Sequence, residues 1–166
     1  PGSLPDKEMC MTHVDHSLCE YAALLHAQGT PKREIFAALL EEFNGTPYVW
    51  SGTSIDGADC SGTVCAALNA LFFTDKRNTA HGLYKTVFTQ PFLHDRSLHA
   101  LFFLKEDEHG LLHAAHVAGA VGGDMYLNES RIEAHKCGTV RSLEELRRMY
   151  PQYLLVRRAY RSGAWA

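Results

Sequence analysis

Gly45-Thr46-Pro47-Tyr48-Val49-Trp50-Ser51-Gly52 leads, after a short loop, into Asp59-Cys60-Ser61-Gly62 and an apolar run that reaches Phe72. A Gly-rich loop, a capping residue and then helical periodicity predict a helix from about Cys60 to Phe72, with Val64, Leu68 and Leu71 facing inward. That reading sets one thiol at a helix start. Backbone N–H groups there lack intrahelical partners and carry partial positive charge, so a thiolate is stabilised and its nucleophilicity at neutral pH rises. A cysteine in an apolar run is otherwise a small buried residue. The polar neighbours Asp59 and Ser61 set Cys60 apart from Cys65, which reads as core.

The stretches on either side fix the fold class. Upstream, residues 11–27 read as an amphipathic helix on Val14, Leu18, Tyr21 and Leu25, ended by Gly29. Thr30 is expected to cap a second helix with Pro31 at its first position, a stripe of Ile35, Phe36, Leu39, Leu40 and Phe43, and a stop at Asn44-Gly45. A short strand is expected at Tyr48–Trp50 and a short helix near Ala80–Thr86. From residue 99 the period changes: Ala100–Leu104, Ala115–Val121, Met125–Asn128 and Tyr153–Tyr160 read as strands, with Gly122-Gly123-Asp124 as a hairpin turn. Ser142 and Glu145 have capping-box spacing for a short helix before the last strand. Helices first and an antiparallel sheet afterwards give an α+β fold.

Composition narrows the function classes. The 166 residues suit one domain, and 46% hydrophobic with 21% charged residues is enough to fill one core. A formal net charge of −3 with no long basic run argues against a nucleic-acid partner. No apolar stretch approaches the roughly 20 residues of a membrane span. Five cysteines at irregular spacing suggest no disulfide framework. Cys10, His13, His16 and Cys19 recur every third residue, but steps of three on a helix drift by about 60° each and do not converge on an ion. His109, His113 and His116 lack carboxylate or thiol company at matching spacing, so no metal or other cofactor is expected. A monomer is expected.

A cysteine nucleophile needs an imidazole, a group to orient it and donors for the oxyanion. Among ten histidines, His116 stands out because it is expected to begin an apolar strand. Asn128 lies 12 positions on, across the hairpin, where it can accept a hydrogen bond from the imidazole and fix its tautomer. His113 is the nearest rival to His116, and His135 to Asn128.

These residues resemble the NlpC/P60 peptidases, papain-like cysteine endopeptidases of bacterial cell-wall peptides. The Gly45–Gly52 and Asp59–Gly62 runs carry the resemblance, and Arg77-Asn78-Thr79, Leu101-Phe102-Phe103, His116-Val117 and Asn128 follow in the family's order, over residues 31–160. The chain departs from the family pattern in three places: Ser51 stands for a glycine, Ala100 for a Gly-Asp lead-in, and Ala118-Gly119 for Gly-Ile. The resemblance implies a papain-like fold over residues 31–166, with residues 1–30 as a helical extension. It implies Cys60 as nucleophile, His116 as base, Asn128 as orienting residue and Tyr48 beside the oxyanion. Asp59 and Ser61 match positions that bind a substrate amine, and Trp50 joins them as a substrate-binding residue. The implied reaction is hydrolysis of a γ-D-glutamyl–diamino acid bond in a peptidoglycan stem peptide, in the cell envelope, although no signal peptide is visible. An acyltransferase or transglutaminase on the same fold, or a catalytically silent binding module, are the other readings of the same residues.

Overall fold

A computed structural model describes residues 13–165. The first helix, α1, runs His16–Ala27 and is capped by Asp15, whose carboxylate accepts from the N–H groups of Ser17 at 3.0 Å and Leu18 at 3.2 Å. The expected start at residue 11 gives way to this cap, and residues 11 and 12 lie outside the described residues, as does Cys10. Gly29, at φ +76°, ends the turn that follows. The second helix, α2 (Lys32–Glu41), begins one residue later than expected. Pro31 itself occupies the cap position in extended conformation, without a side-chain hydrogen bond, and Thr30 lies outside. Its stripe of Ile35, Phe36, Leu39 and Leu40, with Phe43 beyond it, is fully buried.

The expected strand at Tyr48–Trp50 is absent. The loop makes only two isolated bridges, Pro47 to Cys137 and Tyr48 to Ala58, because Trp50 and Ser51 turn the chain into a two-stranded hairpin of β1 (Thr53–Ser54) and β2 (Gly57–Ala58). Helix α3 (Cys60–Phe72) starts and stops as its sequence reads, and every side chain from Ser61 to Leu71 is buried. Phe73 closes it in a left-handed conformation. A short helix α4 (Ala80–Thr86), capped by Thr79, precedes a two-residue edge strand β3 (Gln90–Pro91).

The remaining elements form an antiparallel six-stranded sheet of order β3-β8-β4-β5-β6-β7, with β4 His99–Glu106, β5 Leu112–Gly122, β6 Met125–Glu129, β7 Gly138–Ser142 and β8 Leu154–Ala159. Helix α5 (Leu143–Met149) enters from β7 through a complete capping box. Ser142 Oγ accepts from the Glu145 N–H at 3.1 Å, and Glu145 Oε1 accepts from the Ser142 N–H at 2.9 Å. Strand alternation divides the core. Ala100, Phe102 and Leu104 face the helices α1–α3, whereas Leu101 and Phe103 face α5 with Ala118, Tyr126, Leu146 and Tyr150. Burial of each large side chain in these layers contributes about 1.5–3 kcal/mol. Gly119 lets α2 approach the sheet, since a Cβ there would lie 2.5 Å from Leu40 Cδ1. At the far end Trp165 seals α3, its indole N–H donating to Thr74 Oγ1 at 2.8 Å and to Asn69 Oδ1 at 3.1 Å. The architecture is α+β, with helices packed on a central antiparallel sheet and Cys60 at a helix start.

Candidate active site

Cys60 is the first residue of α3, and Asp59 is its N-cap: Asp59 Oδ1 accepts from the Gly62 N–H at 2.7 Å. The loop before the helix lies directly on this turn. A Cβ on Gly62 would collide with the Gly52 carbonyl oxygen, and one on Gly52 with the Gly57 carbonyl, so both glycines are required by close backbone approach. Ser51 holds φ +64°, the left-handed region that favours glycine, and its N–H donates to Asp59 Oδ2 at 2.9 Å. The serine therefore keeps the loop closed against the helix at a local backbone cost of about 1–2 kcal/mol.

His116 does not begin its strand; β5 starts four residues earlier, at Leu112. A β-bulge aims it instead. Phe103 pairs with His116 and Leu104 with Ala114, so Ala115 is the extra residue, and the strand twists there. The ring lies against Phe103 in a T-shaped contact at 4.7 Å and stacks on Tyr150 at 5.3 Å. His116 Nε2 and Asn128 Oδ1 are 2.6 Å apart, which leaves Nδ1 for the thiol. Since Asn128 Oδ1 can only accept, Nε2 carries the hydrogen.

Asn128 is fully buried and its amide orientation is over-determined. Its Nδ2 donates to Glu133 Oε2 at 2.8 Å and to the Tyr150 hydroxyl at 3.1 Å. Glu133 is in turn gripped by Arg141, whose Nη2 donates to Oε1 at 2.8 Å and whose Nε bridges both oxygens at 3.2 Å. That contact holds the Arg141 guanidinium above its ordinary pKa. The Tyr150 hydroxyl donates to Ser130 Oγ at 2.9 Å. Glu133, Arg141 and Tyr150 had no signal in the sequence, because their positions converge only through the β6–β7 turn and the end of α5.

The electrostatics of the pair run in opposite directions. Burial pushes the Cys60 thiol up, but the charge of the facing His116, their mutual hydrogen bond and a backbone hydrogen bond from Val117 outweigh it, and the thiol titrates below the usual range. The Asp59 carboxylate opposes this without reversing it. Burial favours neutral His116, but the Cys60 charge, the hydrogen bonds to Cys60 and Asn128 and the charge of Glu133 hold its pKa above that of an ordinary imidazole. Cys65 behaves differently: burial pushes its thiol up, and its sulfur accepts from the Asn78 N–H at 3.4 Å.

A cleft of about 600 Å³ opens over Cys60 and His116, lined by Tyr48, Trp50, Arg77, Thr79, His81 and His113 among others. Trp50 is 74% exposed on its rim. Tyr48 carries the Arg131 guanidinium over its ring at 5.0 Å. Burial, then the charges of Cys60 and Asp59, push its phenol up, so it remains a donor. Asp59 and Ser61 also border the cleft, and Arg77 spans both: Nη2 reaches Asp59 Oδ1 at 2.8 Å and Oδ2 at 3.0 Å, and Nη1 donates to Ser61 Oγ at 2.9 Å. Of the rival residues, His113 stacks on His81 at 4.3 Å, and His135 sits exposed in a short turn at φ +63°. Among the described residues no three His, Cys, Asp or Glu side chains form a metal cage.

The chain matches known proteins at two levels. A model of the NlpC/P60 family matches residues 45–158, while no curated protein matches the chain. Among solved structures, NlpC1 of Trichomonas vaginalis aligns with a TM-score of 0.56 at 21% identity, over 78% of this chain and 45% of that one. NlpC2 of the same organism gives 0.55 at 20% identity, over 79% and 47%. The NlpC/p60 domain of the peptidoglycan hydrolase SagA gives 0.50 at 21% identity, over 75% and 95%. The present chain spans less than half the length of the two Trichomonas chains. At these identities the likeness is one of fold.

Proposed function

This chain belongs to the NlpC/P60 family, and from that premise we propose that it is a cysteine peptidase that cleaves an amide bond in bacterial peptidoglycan stem peptides, of the γ-D-glutamyl–diamino acid type. The observation that carries this reading is the His116 ring, fixed by a 2.6 Å hydrogen bond to a buried Asn128 while it holds the Cys60 thiol below its ordinary pKa. SagA, a neighbour in fold, is a peptidoglycan hydrolase, which favours the cell wall as substrate and the cell envelope as the place of action. No helix among the described residues is long and apolar enough to cross a membrane.

In this mechanism Cys60 and His116 rest as thiolate and imidazolium. The thiolate attacks the scissile carbonyl carbon, and the oxyanion is held by the Cys60 backbone N–H and the Tyr48 hydroxyl. His116 gives its proton to the leaving amine as the C–N bond breaks, leaving a thioester on Cys60. Neutral His116 then takes a proton from water, which attacks the thioester carbonyl; collapse of the adduct breaks the C–S bond, releases the carboxylic acid and restores the Cys60 thiolate beside protonated His116. Asn128 keeps the ring in one tautomer throughout. Asp59 and Ser61 receive a substrate amine beside Arg77, and Trp50 covers the bound peptide from the rim.

Digestion of purified bacterial muropeptides, read by mass spectrometry, tests the reading. The wild type is expected to yield two fragments separated at the γ-D-glutamyl bond, and Cys60→Ala none. Cleavage by Cys60→Ala, or an acylated acceptor in place of hydrolysed fragments, would contradict it.

A further inference from the structure

Behind the nucleophile lies an ionisable group that the mechanism above leaves idle. Glu129, the last residue of β6, is 0% exposed, and neither carboxyl oxygen has a hydrogen-bond partner among the described residues. Its space is made by its neighbour across the ladder, Gly138. A Cβ there would collide with the Phe43 carbonyl oxygen and come within 2.9 Å of Glu129 Oε1. The groups whose charge reaches the carboxyl are Cys60 at the start of α3, its cap Asp59, and Glu133 in the turn after β6, all three of one sign. Tyr48, on the loop in front, feels the same carboxyl.

A buried carboxylate with no donor and three like charges around it is strongly disfavoured, whereas the neutral acid fits the site. We propose that Glu129 is a positioning residue that works as a neutral acid: the Cys60 thiolate forms only while Glu129 keeps its proton, and loss of that proton suppresses the thiolate. Burial first, then the charges of Cys60, Asp59 and Glu133, push the Glu129 carboxyl up to about 8. Below that pH Glu129 adds no charge to those of Asp59 and Glu133, and Cys60 is the thiolate with its proton on His116. Above it, Glu129 releases its proton to solvent, the new carboxylate disfavours the thiolate, and Cys60 takes its proton back from His116, so the pair becomes thiol and neutral imidazole. The enzyme thus carries an alkaline limit of its own, set by Glu129 and separate from the loss of the His116 proton to solvent.

This inference rests on Cys60 being the nucleophile, so the test reads the thiol and not turnover. Iodoacetamide labelling of Cys60 is followed against pH by peptide mapping in the wild type and in Glu129→Gln, which keeps the shape and removes the charge. In the wild type the labelling rate is expected to fall about three- to tenfold as pH passes about 8. In Glu129→Gln that fall disappears. Superimposable profiles would overturn the proposal, and so would a folded Glu129→Gln protein whose Cys60 is unreactive at every pH. Selective labelling with superimposable profiles removes only this inference; failure to label Cys60 in either protein removes the nucleophile reading with it. If the variant does not fold, infrared spectra of the wild type decide: a protonated-carboxyl band at about pH 7 that vanishes above about pH 8 is expected, and its absence at neutral pH overturns the proposal.

Discussion

Cys60 and His116 each set the other's protonation. Both are half-buried at the foot of the cleft, and desolvation alone would leave a thiol and a neutral ring; their contact reverses the outcome, lowering one pKa and raising the other. The sign fixes the pH window. Cys60 gives up its proton below the ordinary thiol range and His116 holds one above the ordinary imidazole range, so the proposed activity is expected to rise as the thiol ionises and fall as the ring loses its proton. The proposed mechanism uses the ring in one orientation, the one in which Asn128 holds it at 2.6 Å. Asn128→Ala is expected to lower kcat about 100-fold with a small change in KM, because it removes a constraint on the base and no contact with substrate. Steady-state kinetics on a muropeptide checks this, and an unchanged kcat would contradict the orienting role.

The elements that hold this orientation are β6, the turn after it, β7 and α5. Asn128 comes from β6, Glu133 from the turn, Arg141 from β7 and Tyr150 from the end of α5. Glu133 is 3% exposed, and Arg141 is its cation. Arg141→Met would leave a buried carboxylate uncompensated and is expected to destabilise the fold by about 3 kcal/mol, read as a lower midpoint in urea. The same variant should lower kcat, since Glu133, the acceptor of the Asn128 amide, loses the cation that holds it in place. Little of this network was legible in the sequence. Helix α3 was, because a capping residue and an apolar run mark its ends locally. Strand β7 was not: of Gly138-Thr139-Val140-Arg141-Ser142 only Val140 is a large apolar residue, and the strand lies at a sheet edge. The expected strand at Tyr48–Trp50 failed because Ser51 adopts a left-handed turn that no local pattern announces. His116 was found for a reason the structure corrects: the bulge at Ala115, and not a strand start, directs its ring, and a bulge is a property of two paired strands. The departures at Ala118-Gly119 became intelligible only when α2 was seen to sit on Gly119.

Across the whole chain, the helices and the sheet share one core, so Cys60 on α3 and His116 on β5 are held by the same packing. The boundary expected at residue 30 falls between α1 and α2, and Leu18 and Ala22 of α1 lie in the same core as Leu39 and Leu68. The buried Glu129 makes global stability depend on pH. Its carboxyl is pushed from 4.5 up to about 8 in the folded protein, by burial above all, so the fold binds this proton more tightly than the unfolded chain does. The associated stability is fully present below 4.5 and is lost as pH rises toward about 8, a loss on the order of a few kcal/mol. Glu129→Gln should flatten that slope in thermal melts taken across the same range; parallel curves for the two proteins would show that the group is not protonated in the native state. The central claim, that Cys60 is ionised because His116 bears its proton, is tested most directly by the rate at which iodoacetamide labels Cys60 at about pH 6 in the wild type and in His116→Ala. Rapid labelling of the wild type and a rate at least about tenfold lower in the variant are expected. Equal rates in two folded proteins would contradict it.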